Sequence, residues 1–291
     1  MKFNPIFKKE LRLGARSIKL PLAIMFYNFL LAIITVITIA ACTLISNYGQ
    51  GYSYEAMMSI FPILAWVECV IMMLIIPVIA AGSIAGEREK QTLDIMLTTP
   101  IKSWSIIMGK LYTAIASVLM FVISSIPIMS IAFVLGGLSW WSLLGYVFMM
   151  IYIAFYVGSI GIFCSSLFKK TILAIVLTLV IELTIVVGTG VIAVAGISLL
   201  SALYFSGIFT SVDVYAVALF PMLFNPLSTF LDFTLRTSSQ SSIKQYMIDG
   251  GCSSLLSWFL GLWIPASLVI NIIIALMLDF IAAIKINPHK K

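Results

Sequence analysis

The chain has 291 residues, of which 62% are apolar and only 10% charged, and a formal net charge of +6. A soluble domain carries about 25% charged residues, so water is excluded as the main solvent of this surface. The only histidine, His289, is the third residue from the end, which leaves a Ser-His or Cys-His hydrolase without its base and a histidine metal site without ligands.

Residues 1–20 read as a basic amphipathic helix. Phe3, Ile6, Phe7, Leu11, Leu13 and Ile18 share one face, and Lys8, Lys9, Arg12, Arg16 and Lys19 the other. Such a helix lies flat on an anionic leaflet. Pro5 suits its first turn and Pro21 is expected to close it. The segment is too polar for a cleavable signal peptide.

Six apolar runs follow, each long enough for the roughly 20 residues that a bilayer crossing needs. They are expected at 22–46, 57–83, 106–135, 141–167, 171–199 and 256–283. The fold class is therefore an all-α membrane protein: one transmembrane domain over 1–291. Trp104, Trp140, Trp141, Trp258 and Trp263 fall near span ends, as an interfacial belt would place them. The connection 200–255 is long and still apolar in part, but Pro221 and Pro226 interrupt it. Short re-entrant helices before the last span fit it, provided their backbone packs on protein. Cys42, Cys69 and Cys164 sit inside apolar runs and read as packing residues.

Lys and Arg are unevenly shared between the two sides. The N-terminal helix, the 82–105 connection, Lys169, Lys170 and the C-terminal tail hold nearly all of them. Only Arg236 and Lys244 fall on the opposite side. The basic side is cytoplasmic, so both termini and 82–105 are expected there. The net charge is then a topology signal, and no nucleic-acid partner is expected.

Glu68 and Glu182 fall deep inside the second and fifth runs. A charge at that depth costs at least ~2.5–3.5 kcal/mol, so each is expected to face the protein and to be paired or protonated. Either a role in the pathway or a hydrogen bond between helices fits them. Asn28 and Asn271 invite the second reading. Asp279, near the end of the last run, is expected to reach water.

The 82–105 connection is the most informative. Residues 87–97 can form a short helix in which Lys90 and Asp94 pair at i, i+4 and Leu93, Met96 and Leu97 share one face. Thr98, Thr99 and Pro100 stop it. A small apolar face rimmed by charge suits a partner's groove or a place against the membrane surface. The residues alone leave both open.

This connection resembles the signature of the permease subunits of type-two ATP-binding-cassette exporters, an E-R-E-x-G-T-L-E-x-L-L-x-T-P pattern after the second span. Glu87, Arg88, Glu89, Thr92, Leu93, Leu97, Thr99 and Pro100 match it, with Asp94 at the acidic position and Met96 at an apolar one. Gln91 departs from the family's glycine and favours a more continuous helix. The run from Ser103 to Lys110 and the opening Asn4-Pro5-Ile6-Phe7 resemble the family as well.

The resemblance implies that Gly86, Glu87, Arg88, Glu89, Thr92, Leu93, Asp94, Leu97, Thr98, Thr99 and Pro100 form a coupling element on a separate ATPase. It implies two cytoplasmic ATPase subunits and a second permease copy or homologue, in the cytoplasmic membrane. ATP and Mg would be bound by the partner, with no cofactor or metal on this chain and no catalysis by it. The expected function is ATP-driven outward transport. The competing reading is a standalone proton-coupled transporter that uses Glu68 and Glu182.

Overall fold

The computed structural model describes residues 7, 18–48, 57–92, 103–136, 139–205, 220–237 and 262–286. Among these the ordered elements are helical: α1 (Lys19–Tyr48), α2 (Ile60–Glu89), α3 (Ser103–Gly136), α4 (Trp140–Leu167), α5 (Thr171–Phe205), a 3₁₀ turn (Phe220–Phe224), α6 (Pro226–Thr237) and α7 (Trp263–Ile286). Six of them, α1 to α5 and α7, are long and apolar enough to cross a membrane. The chain is a multi-pass membrane protein, with the expected number of spans.

Several boundaries differ from those expected. α2 runs on to Glu89 rather than ending near 83, and α3 begins at Ser103 rather than 106. α5 reaches Phe205, and α7 starts at Trp263, later than expected. Pro21 closes no helix. It lies in the first turn of α1, where its missing N–H costs nothing because that N–H has no partner within the helix. The amphipathic helix expected over 1–20 lies outside the described residues, apart from Phe7 and the exposed Ile18.

The chain divides into two compact units. The first holds residues 1–179 and 275–291, and the second 180–274. In the first, α4 is the central helix: 72% of its most apolar window is buried, against 17% for α1. It packs most extensively on α2. Ala80 and Ile84 of α2, Ile107 and Leu111 of α3, Ile162 of α4 and Ala282 of α7 share one apolar core. The outward residues of α1, such as Met25, Phe29 and Val36, remain exposed, as a lipid-facing surface requires.

In the second unit the 3₁₀ turn and α6 precede α7. At ~1.5 Å per residue, 12-residue α6 spans about 18 Å, too little for a hydrocarbon core of ~30 Å. Asn225 starts α6, accepting the Leu227 N–H at 2.9 Å. Its amide donates to the Val186 carbonyl at 3.2 Å and to Thr189 Oγ1 at 2.9 Å on α5. Ser267 and Asn271 of α7 both donate to the Leu223 carbonyl, at 2.9 and 3.2 Å. Trp263 is 2% exposed and packs with Ala193 and Leu223. It is a core residue rather than part of an interfacial belt. Trp140 and Trp141, by contrast, are about four-fifths exposed.

Candidate coupling site

α2 ends by a sequence-local device. The Thr92 N–H donates to the Glu87 carbonyl at 2.9 Å and the Gln91 N–H to the Arg88 carbonyl at 3.1 Å, the paired bonds of a Schellman cap. Such a cap puts one residue in the left-handed region, and here it is Gln91, at φ 57°. The continuous helix expected over 87–97 is therefore broken at Gln91. Glutamine adopts the conformation that the family's glycine adopts freely. Glu87, Arg88 and Glu89 belong to the last turn of α2.

These three adjacent residues each reach a different helix. Glu87 Oε1 lies 2.9 Å from Lys110 Nζ on α3. The Arg88 guanidinium donates to the carbonyls of Ser166 and Phe168, both at 3.2 Å, at the end of α4. Glu89 Oε2 accepts from the Thr171 N–H at 3.1 Å and from Thr171 Oγ1 at 2.6 Å, at the start of α5. The last carbonyls and first N–H groups of a helix have no partner within it. The helix dipole also favours a cation at the first of these ends and an anion at the second. Arg88 and Glu89 supply both, on either side of the α4–α5 turn.

Below this clamp, Ser165 of α4 enters the backbone ladder of α2. Its Oγ accepts from the Ile84 N–H at 3.1 Å and the Ala85 N–H at 2.7 Å. Gly86 lies beside Thr171, where an added Cβ would meet Thr171 Oγ1 at an ordinary 3.6 Å. Thr92 is exposed. Leu93, Asp94, Leu97, Thr98, Thr99 and Pro100 lie outside the described residues.

The polar residues inside the spans separate by partner. Glu68 is fully buried and accepts from Ser125 Oγ of α3 at 2.7 Å. The hydroxyls of Tyr27 of α1 and Tyr146 of α4 lie near the same carboxyl, so side chains of four helices meet there. Asn28 of α1 donates to Ser124 Oγ at 2.9 Å, the helix-to-helix bond expected of it. Glu182 is 7% exposed, and neither carboxyl oxygen has a hydrogen-bond partner among the described residues. Asp279 does not reach water. It is fully buried and accepts from Ser159 Oγ of α4 at 2.9 Å.

Sequence reading missed Lys110, Ser165 and Thr171 as members of the site. Lys110 carried a signal: a lone lysine seven residues into an apolar helix requires a partner. Ser165 and Thr171 carried none, because serine and threonine are ordinary residues at helix ends.

A family model described as ABC-2 family transporter protein matches residues 5–281, nearly the whole chain. No protein with a curated description matches it. The six apolar helices agree with the architecture of a transporter membrane subunit. The chain belongs to the ABC-2 family of transporter proteins, as a transmembrane permease subunit.

Proposed function

We propose that this subunit couples ATP hydrolysis on a separate ATPase to outward movement of a substrate across the cytoplasmic membrane. The observation that carries the reading is the clamp at the end of α2. Glu87, Arg88 and Glu89 are spent on α3, α4 and α5, so the same turn that begins the 93–100 segment holds three other spans. The coupling set then divides by role. Residues 93–100, with the apolar Leu93 and Leu97, dock on the ATPase, and the three charged residues transmit. The Lys and Arg distribution puts this end of α2 and both termini in the cytoplasm. Two ATPase subunits with ATP and Mg, and a second permease, complete the assembly. Motion requires that the ATPases contact the loop differently in their open and closed states.

The test is co-purification with an ATPase and measurement of ATP turnover. Leu93→Asp with Leu97→Asp is expected to abolish assembly while leaving the membrane subunit folded. Intact assembly of that variant would remove the docking role.

One observation favours the second reading. Glu182 is a buried carboxyl without a hydrogen-bond partner among the described residues, as a proton-carrying group would be. Proton-driven uptake or efflux by vesicles holding this subunit alone, abolished by Glu182→Gln, would establish it. No transport without the ATPase would reject it.

A further inference from the structure

The clamp contains one buried cation, Lys110, and its position is unlike those of the other partners. Arg88 and Glu89 hold backbone groups at helix ends. Glu87 instead holds a side chain inside α3, about two turns from the start of that helix. Lys110 is 2% exposed. Its ammonium donates to the Ser83 carbonyl at 2.8 Å and to Glu87 Oε1 at 2.9 Å. Ser83 and Glu87 are one turn apart, so a single amine spans a full turn of α2.

Its neighbours along α3, Ile107, Leu111 and Ala114, and Ile84 of α2, next to Ser83, are all buried in one apolar core. An apolar residue would pack there without the desolvation that a buried ammonium pays. Buried ion pairs add little net stability over well-packed apolar residues, and their best-attested use is to set register. The register set here is that of α2 against α3, the two helices that anchor the 90–102 connection. A displacement of a loop divides between its anchors, which slide past one another unless they are tied.

We propose that Lys110 is the tie: a positioning residue that makes the ends of α2 and α3 move as one body when the connection between them is displaced. The role rests on the transporter reading above, but the tie can be measured without a known cargo.

The experiment places spin labels at Val78→Cys on α2 and Tyr112→Cys on α3, both about half exposed, with Cys252→Ser to remove the one cysteine of the sequence that lies outside the apolar runs. The label-to-label distance is read in the permease–ATPase complex in nanodiscs, without nucleotide and with MgATP and vanadate. In the otherwise wild-type protein a single narrow distance is expected, unchanged by nucleotide. Lys110→Met with Glu87→Gln removes both charges together, so no buried charge is stranded. This variant is expected to at least double the width of the distribution and to shift its centre on nucleotide binding.

The exchange Glu87→Lys with Lys110→Glu is expected to restore the narrow distribution. It keeps the ion pair between the two helices and leaves a cation at the end of α2, as that helix's dipole favours, although the bond to the Ser83 carbonyl is given up. If the neutral pair of substitutions leaves the distribution narrow and unmoved, or if the wild-type distance itself shifts, Lys110 is not the tie. A wild-type protein that binds no ATPase would overturn the transporter reading instead, and the nucleotide-free widths would still decide whether Lys110 ties the helices.

Discussion

A Cβ added to Gly161 of α4 would stand 2.8 Å from the Cβ of Ala80 and 3.2 Å from the Ala81 nitrogen of α2. Real Cβ atoms do not approach that closely, so the two helices meet backbone to backbone at this point. Lipid offers no hydrophobic drive for helices to associate, and close contact between small residues supplies packing instead. Gly161→Val is therefore expected to destabilise the protein by about 1–3 kcal/mol through overpacking. Gly190→Ala is the control, because nothing lies within 4 Å of an added Cβ there. Thermal unfolding in detergent measures both. Equal midpoints would mean that α2 and α4 can part without cost.

Gln91 gives a prediction of opposite sign. A non-glycine residue in the left-handed region costs about 1–2 kcal/mol, and Gln91 sits there at φ 57°. Gln91→Gly is expected to stabilise the Schellman cap by up to about 1 kcal/mol, after allowance for the entropy that glycine gains in the unfolded chain. Gln91→Val is expected to be worse than wild type, since β-branched residues avoid that region. Hydrogen exchange at the Thr92 amide, bonded to the Glu87 carbonyl, reads the cap directly. Slower exchange is expected for the glycine variant and faster exchange for the valine variant.

The two acidic residues singled out from the sequence are expected to respond differently. Glu68 receives the Ser125 hydroxyl, and Tyr27 and Tyr146 face it. Glu68→Ala is expected to cost about 1–2 kcal/mol, in line with single polar contacts between membrane helices. Glu68→Gln, which still accepts and donates, is expected to cost less than half of that. Glu182 has no hydrogen-bond partner among the described residues, so Glu182→Gln is expected to leave the unfolding midpoint unchanged or raised. A fall in the midpoint for Glu182→Gln as large as that for Glu68→Ala would show that Glu182 is a structural contact.

Asn225 holds the second unit together from a non-helical position. One oxygen starts α6 and one amide group binds two acceptors on α5. Asn225→Ala is expected to lower stability by about 1–3 kcal/mol, because the half-buried Val186 carbonyl and Thr189 hydroxyl lose a donor. Limited proteolysis is the measurement. Cleavage near α6 should accelerate while α1 to α4 remain resistant, and unchanged cleavage would show that Asn225 is dispensable.

How far the sequence reaches is seen at the end of α2. The E-R-E pattern marked Glu87, Arg88 and Glu89 as a unit, but as part of a short helix offered to a separate ATPase. Their partners point inward. Asp279 was misread as well: its place near the end of the last apolar run suggested access to water, but it is fully buried and bonded to Ser159. The Gln91 break was also hidden. A glutamine in a helical pattern promises continuation, and only the two cap bonds from Thr92 and Gln91 show the chain turning away.

Hydropathy is summed over neighbours in the chain, and that is why the number of crossings and the shortness of α6 were legible from residue order. A bilayer acts on each 20-residue run separately, whatever the other runs do. The partners of adjacent side chains are set differently. Arg88 finds carbonyls up to 80 residues away, and Glu89 an N–H 82 residues away. Those groups are available only because α4 ends and α5 begins beside the last turn of α2. The packing of Gly161 against Ala80 brings them there, and no local pattern in the chain encodes that meeting.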